Sequence, residues 1–477
     1  MKYSSISILC AALTASASAF VAPSLVTKKT TAVVPIASFE KAAKQTCRYS
    51  TQQSAEDSVR TRPDDKLNEF IHHLLGMSDF CYSFANVRRI VKQNRETIKK
   101  KKTGWFSSEE YKVEYDTPSL ILTQRGAQEE DDNQYLKYDI TADAIKLFME
   151  KNRKWFSEPE GGGDWVFDET VTEKSEPFLL EEMVGRATKE NIRFVDYDDE
   201  FSTKAGGLVY GVIINLTQRD VVVVFRGTVG ATDIGTDRDF RLDHESLFES
   251  EDDIFIPGGK PGTHMGFTTY LCDEKKGEDD GRKVVERILA CVNEEFKSNP
   301  DLVGKDFDFY VTGHSLGGAL ANLFSFKAAQ LKAKGDERVK HLPKKITALT
   351  FAAPVVGNED FNKEYQYLEK KGVLRHIRVS NKGDLIPTNN ILPPASLALK
   401  GNTRVYTQNG VNLFLHPEDE VKVEYRNTKS FGSQMGFSPL TNHLCPEYYE
   451  RVELEVNKKV YEKTVEELYE VAGDFTN

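Results

Sequence analysis

The stretch Gly313-His314-Ser315-Leu316-Gly317-Gly318 sets a serine among glycines. It falls between a short apolar run, Phe307 to Thr312, and a longer run of small and apolar residues, Leu316 to Lys332. A strand that turns sharply into a helix pushes the residue at the turn out of the backbone line, and its flanking residues must be small. Glycines 313 and 317 meet that need, so Ser315 is a candidate nucleophile. The backbone N–H of Leu316, at the helix start, would then point toward a developing oxyanion. A Gly-x-Ser-x-Gly sequence alone is a weak signal. The strand–turn–helix setting is what strengthens it.

A serine nucleophile needs a base, and the base needs an orienting acid. On a strand–turn–helix elbow of this type the chain order is Ser, then Asp or Glu, then His. Asp384 follows the β-rich run Val373 to Val379, which is where such an acid belongs. Four histidines follow Ser315: His341, His376, His416 and His443. Only His416 and His443 also follow Asp384. His416 sits beside the acids at 418–420, whereas His443 ends a loop shortly before the last helical stretch, which favours His443.

Several separated segments, in order, resemble the fungal-type or class 3 lipases. Val221-Val222-Val223-Val224-Phe225-Arg226-Gly227-Thr228 resembles the family's oxyanion strand and loop. Asp239-Phe240-Arg241-Leu242-Asp243 resembles its Asp-Trp-x-x-Asp stretch, with Phe where Trp is usual. His264-Met265-Gly266-Phe267, the elbow, the run FAAPVVG from Phe351 to Gly357 and Asp384-Leu385-Ile386-Pro387 also resemble family motifs. So does Asn442-His443 followed by Tyr448 and Tyr449. The resemblance implies an α/β-hydrolase fold, a mostly parallel sheet flanked by helices. It implies Ser315, Asp384 and His443 as the catalytic triad of a lipid ester hydrolase. It implies Thr228 and Leu316 as the oxyanion hole, and it requires no metal or organic cofactor. The implied partner is a lipid substrate, met at a membrane or lipid-droplet surface. His264, His314, Asp239 and Asp243 read as structural. The insert Val229 to Thr263 mixes apolar residues with many acids and reads as a lid over the site.

The elements that must position these residues are legible as patterns. Leu208 to Asn215 and Val221 to Phe225 are β-branched and predict a strand pair. Arg282 to Phe296 and Leu316 to Lys332 predict helices, and Ile346 to Ala352 and Val373 to Val379 predict strands. Strands alternating with helices predict a parallel sheet. Residues 64–98 predict a helix followed by Lys99 to Lys102, Trp105 and Phe106, a basic and aromatic cluster suited to anionic lipid. Ile145 to Trp155, and the stretch from Tyr448 to Val471, also look helical. These patterns divide the chain into a signal peptide (1–19), a transit-like or linker segment (20–61), a mainly helical region (62–204) and a hydrolase domain (205–477).

The chain has 477 residues and a formal net charge of −11, which argues against non-specific nucleic-acid binding. Lys2 precedes a short apolar run, Ile6 to Leu13, and then Ala17-Ser18-Ala19, a signal-peptide layout. The stretch after Phe20 is rich in Ser, Thr, Lys and Ala, and its first acid is Glu40. Together they resemble the two-part plastid targeting sequences of diatoms and related algae, with secretion as the alternative destination. Cys10 and Cys47 lie in these segments, which leaves Cys81, Cys272, Cys291 and Cys445 for at most two disulfides. Asn215-Leu216-Thr217 is a glycosylation tripeptide on a predicted turn. Two rival readings keep the fold and change the function: a catalytically silent lipase-like binding or signalling protein, and a lipid acyltransferase on the same triad.

Overall fold

The structure, a computed structural model, describes residues 66–102, 108–114, 156–157, 166–167, 192–198, 208–227, 241–273, 282–299, 306–384, 386–387, 406–417, 421–425, 440–454 and 462–471. The expected targeting segments, the helix expected at 145–155, and Trp105 and Phe106 lie outside them.

In chain order the elements begin with α1 (Leu67–Arg95), β1 (Glu96–Lys102), β2 (Ser108–Glu114), β3 (Ile192–Asp198), β4 (Tyr210–Asn215) and β5 (Asp220–Phe225). Next come α2 (Met265–Cys272), α3 (Val284–Ser298), β6 (Asp308–His314), α4 (Leu316–Lys334), β7 (Ile346–Phe351) and α5 (Glu359–Lys370). The last are β8 (Leu374–Asn381), β9 (Val411–Leu415), β10 (Lys422–Tyr425), α6 (Cys445–Val452) and α7 (Val465–Val471). Strands β3 to β10 form one eight-stranded sheet in sequential order. The five strands from β5 to β9 run parallel, while β3, β4 and β10 add antiparallel edges. Helices cover both faces, the α/β-hydrolase architecture.

A strand buried on both faces reads as a continuous apolar run. β5 shows why. Val222 and Val224 enter the core layer beneath α1, α6 and α7, while Val221, Val223 and Phe225 enter the layer beneath α2, α3, α4 and α5. The parallel connections need crossovers, and α4 and α5 supply those that lead from β6 to β7 and from β7 to β8.

The structure refines several readings of the sequence. The expected boundary at 204/205 does not part α1 or β3 from the main sheet. α1 gives Phe70, Ile71, Leu74, Met77 and Phe80 to the core of the main sheet, and β3 pairs with β4 as its edge. Those apolar side chains would be exposed without the sheet face, so this helix is part of the hydrolase body. The helix expected over 64–98 stops at Arg95, and the lysines that follow lie on β1. There Lys100 and Lys101 stand opposite Glu110 and Glu109 in the register of an antiparallel ladder. The helical stretch expected from Tyr448 to Val471 is two separate helices, α6 and α7. Asn215 is fully buried, and its Oδ1 accepts from the N–H groups of Thr217 and Gln218. It shapes the turn, and the folded chain offers no glycan acceptor there.

The second half of the expected lid is fixed to the core. Leu247 and Phe248 are buried, and the Phe248 ring lies 5.6 Å from that of Phe326 on α4. Lys327 Nζ donates to the Leu247 carbonyl at 2.8 Å, and Glu364 accepts from the N–H groups of Phe255 and Ile256. The rest of the expected lid, 229–240, lies outside the described residues. Cys81, Cys272, Cys291 and Cys445 are free thiols. Among the described residues no helix is long and apolar enough to cross a membrane.

Candidate active site

Ser315 stands between β6 and α4 with φ 57° and ψ −126°, a conformation that side-chain-bearing residues rarely hold. Two kinds of contact maintain it. The Ser315 N–H donates to the Phe351 carbonyl at 2.9 Å, and its own carbonyl accepts from the N–H of Gly318 at 2.9 Å. The glycines allow the close approach. A Cβ on Gly313 would lie 2.3 Å from the Gly317 carbonyl oxygen, and one on Gly317 would lie 2.1 Å from the Phe225 carbonyl oxygen. Leu316 opens α4, so its N–H belongs to the first turn, which has no intrahelical acceptors and carries the positive end of the helix dipole. Thr228, the other expected oxyanion donor, lies outside the described residues, as do Asp239 and Phe240.

Asp384 follows β8 through a turn in which Gly383 takes φ 88°. The carboxylate is buried. It accepts from the Ile386 N–H at 3.0 Å and from the Tyr448 hydroxyl at 2.7 Å. A buried charge is costly unless it is hydrogen-bonded, and these donors supply that. Tyr448 in turn accepts from the Asn381 N–H at 3.3 Å, which ties α6 to the end of β8.

His443 ends a single helical turn, Leu440–His443. Its Nδ1 lies 2.9 and 3.0 Å from the two Asp384 oxygens, and its Nε2 lies 2.9 Å from Ser315 Oγ. A carboxylate only accepts, so the network puts the proton on Nδ1 and leaves the Nε2 lone pair facing the serine hydroxyl. Arg451 clamps the two loops that carry acid and base. It donates to the Lys382 carbonyl at 2.7 Å and to Asn442 Oδ1 at 2.9 Å. Asn381 Nδ2 also donates to the Asn442 carbonyl at 3.1 Å. Asp384 is closed off from solvent, while Ser315 and His443 remain half-buried. A hydroxyl, an imidazole and a carboxylate in this line can perform general-base-assisted nucleophilic attack.

The structure thus brings together Ser315, Asp384 and His443. It keeps His416 away: that ring is buried edge-on against Phe414, 5.0 Å between centroids. His376 is sealed in the core on Thr350, and burial pushes its pKa down to about 3. Asp243 accepts from the N–H groups of Glu245 and Ser246, and the His264 side chain caps α2 by accepting from the Phe267 N–H. Both are structural, as their sequence settings suggest. His314 is held by a hydrogen bond, because its Nε2 lies 2.6 Å from the His443 carbonyl oxygen. No spacing rule marks that contact, nor the clamp by Arg451. Tyr448 carried a signal, as one of the tyrosines after His443 that resemble the family's terminal segment.

Residues 222–393 match the model of the class 3 lipase family. The matched segment holds Ser315 and Asp384, while His443 and all of α1 fall outside it. Phospholipase A1-II 3 of Oryza sativa subsp. indica is 30% identical over 191 residues, 39% of this chain and 41% of that protein. The chloroplastic phospholipase A1-Igamma2 of Arabidopsis thaliana is 30% identical over 175 residues, 36% of this chain and 31% of that protein. The chain therefore spans well under half the length of these curated relatives. Among solved structures, lipase II from Rhizopus niveus is similar at 22% identity and a TM-score of 0.38, with 55% of this chain and 82% of that one covered.

Proposed function

We propose that this protein is a serine ester hydrolase that cleaves acyl esters of lipids through an acyl-enzyme. The line Ser315 Oγ, His443 Nε2, His443 Nδ1, Asp384, with each contact at 2.9 to 3.0 Å, carries the reading. Ser315 attacks the ester carbonyl while His443 takes its proton. His443 then gives that proton to the leaving alcohol, and the acyl group stays on Ser315. A water, deprotonated by His443, releases the fatty acid and restores the serine. Asp384 holds the imidazole tautomer and stabilises the imidazolium. The N–H of Leu316, with Thr228, binds the oxyanion; one such donor is worth about 2.7–4 kcal/mol of barrier.

The relatives named phospholipases A1 favour a phospholipid acyl ester among the candidate substrates. The intact triad speaks against a silent binding protein. An acyltransferase would need an acceptor alcohol to outcompete water in the half-open site. The test is purified protein on neutral, phospho- and galactolipid vesicles, beside Ser315→Ala. Fatty acid release that persists in Ser315→Ala, or acyl transfer without release, would overturn the reading. For destination we propose the plastid, supported by the basic, acid-poor stretch after Phe20 and by relatives described as chloroplastic. Residues 1–60 fused to a fluorescent protein should label plastids in a diatom-like alga, and secretion of the fusion would refute this. Contact with the lipid surface through Lys99 to Lys102 predicts weaker co-sedimentation with anionic vesicles when the four become Gln. Unchanged binding would exclude that route.

A further inference from the structure

α1 lies outside the family-matched segment and carries none of the three reacting side chains. Yet Tyr82, two turns from its buried Leu74 and Leu75, reaches the catalytic elbow. Its Oη lies 3.3 Å from His314 Nδ1. The same oxygen lies against Gly227. The approach is so close that a Cβ on Gly227 would lie 2.1 Å from Tyr82 Oη, 2.6 Å from the His314 carbonyl oxygen and 3.1 Å from Ser315 Cβ. One hydroxyl therefore joins the loop after β5, where the oxyanion strand ends, to the residue before the serine.

The proton positions on this chain follow from its ends. The His443 carbonyl can only accept, so His314 Nε2, 2.6 Å away, carries a hydrogen. Burial holds the pKa of His314 down to about 3, so the ring is neutral and its Nδ1 presents a lone pair. Burial also holds the Tyr82 phenol well above its usual value, so it keeps its proton and donates to Nδ1. The order is Tyr82 O–H to His314 Nδ1, then His314 Nε2–H to the His443 carbonyl. Were the His314 tautomer reversed, a lone pair would face that carbonyl oxygen, and the turn bearing the base would be pushed away from Ser315.

We propose that Tyr82 is a positioning residue of the active site, which anchors the His314 ring through Nδ1 and through it the placement of His443. This rests on the reading of Ser315 and His443 as nucleophile and base. α1 would then be part of the catalytic body and not an appendage to it. A displacement near 1 Å at a reacting group costs on the order of 10²-fold, so losing one hydroxyl that restrains it should cost about tenfold.

The experiment uses the full chain, a soluble p-nitrophenyl ester and the variants Tyr82→Phe, His314→Leu, His314→Gln and Tyr82→Phe/His314→Leu. Phe80→Leu serves as the stability control on the same helix. Tyr82→Phe should lower kcat about tenfold with KM unchanged, and His314→Leu should lower it at least as far. The double variant should fall no further than His314→Leu alone, because the two act in series. His314→Gln, whose amide N–H can still reach the His443 carbonyl, should recover part of the loss. Phe80→Leu should lower Tm and leave kcat unchanged. Histidine-selective ¹⁵N spectra give a readout independent of turnover: His314 should carry its hydrogen on Nε2 in the wild type, and its Nδ1 resonance should shift when Tyr82→Phe removes the hydrogen bond to it. Full kcat in Tyr82→Phe, multiplied losses in the double variant, or an Nδ1–H tautomer in the wild type would each overturn the proposal. Turnover that survives Ser315→Ala would instead overturn the hydrolase reading itself.

Discussion

Gly317→Ala is a sharp test of how the elbow is built. Its added Cβ would sit 2.1 Å from the Phe225 carbonyl oxygen, 2.7 Å from the Phe225 carbonyl carbon and 2.8 Å from the Arg226 carbonyl carbon. All three are backbone atoms of β5 and the loop after it, so no side-chain rotation relieves the clash. Ordinary contact begins near 3.4 Å, so α4 and β5 must part by about 1 Å or more at the point where the nucleophile meets the oxyanion loop. A displacement of that size predicts a loss of about 10²-fold in kcat/KM. The overpacking should cost about 1–3 kcal/mol of stability. Steady-state hydrolysis of a p-nitrophenyl ester and urea unfolding measure the two effects. Gly335→Ala, at the other end of α4, is the control: Gly335 has φ 73° and open space around it. It should lose about 1 kcal/mol from backbone strain and keep its turnover. A Gly317→Ala enzyme within about threefold of wild-type kcat/KM would refute the packing account of the elbow.

Other perturbations separate the remaining parts. Ser315→Ala and His443→Ala should each lower turnover by a factor on the order of 10⁶, with the double variant little worse, as measured by initial rates. His416→Ala should keep its kcat, and the reverse result would reassign the base. Tyr448→Phe removes one donor to the Asp384 carboxylate, a bond worth about 1.5–3 kcal/mol, and should destabilise by that order while His443 keeps its contact. Urea unfolding at pH 7 checks this. His314 and His376 both have folded pKa values pushed from 6.5 down to about 3 by burial. The unfolded chain binds their protons first, so stability should fall as pH drops from about 6.5 toward 3, by up to about 1.4 kcal/mol per pH unit for each. A flat urea midpoint between pH 7 and pH 4.5 would contradict this.

The central sheet and the triad were legible because their signals are local. β5 is an unbroken apolar run because both its faces are covered. Ser315 is flanked by glycines because two backbones touch there. Asp384 follows a β-rich run, and His443 follows Asp384 in the order such sites require. What the sequence concealed depends on contacts distant along the chain. α1 announces a helix but not the sheet face that Phe70 and Leu74 enter. Ile192–Asp198 was not legible as an edge strand, because among the described residues it pairs with β4 alone and its pattern follows a long stretch without a recognisable motif. The His443 carbonyl meets His314 through a fold-level juxtaposition, and Tyr82 meets the elbow across 232 positions.

The claim on which everything else depends is that Ser315 is an activated nucleophile. Covalent labelling with a fluorophosphonate, followed by peptide mass mapping, measures this without any assumption about the lipid. A single adduct on Ser315 is expected, formed rapidly in the wild type and nearly lost in His443→Ala. A wild-type protein that takes no label, or takes it on another serine, would contradict it.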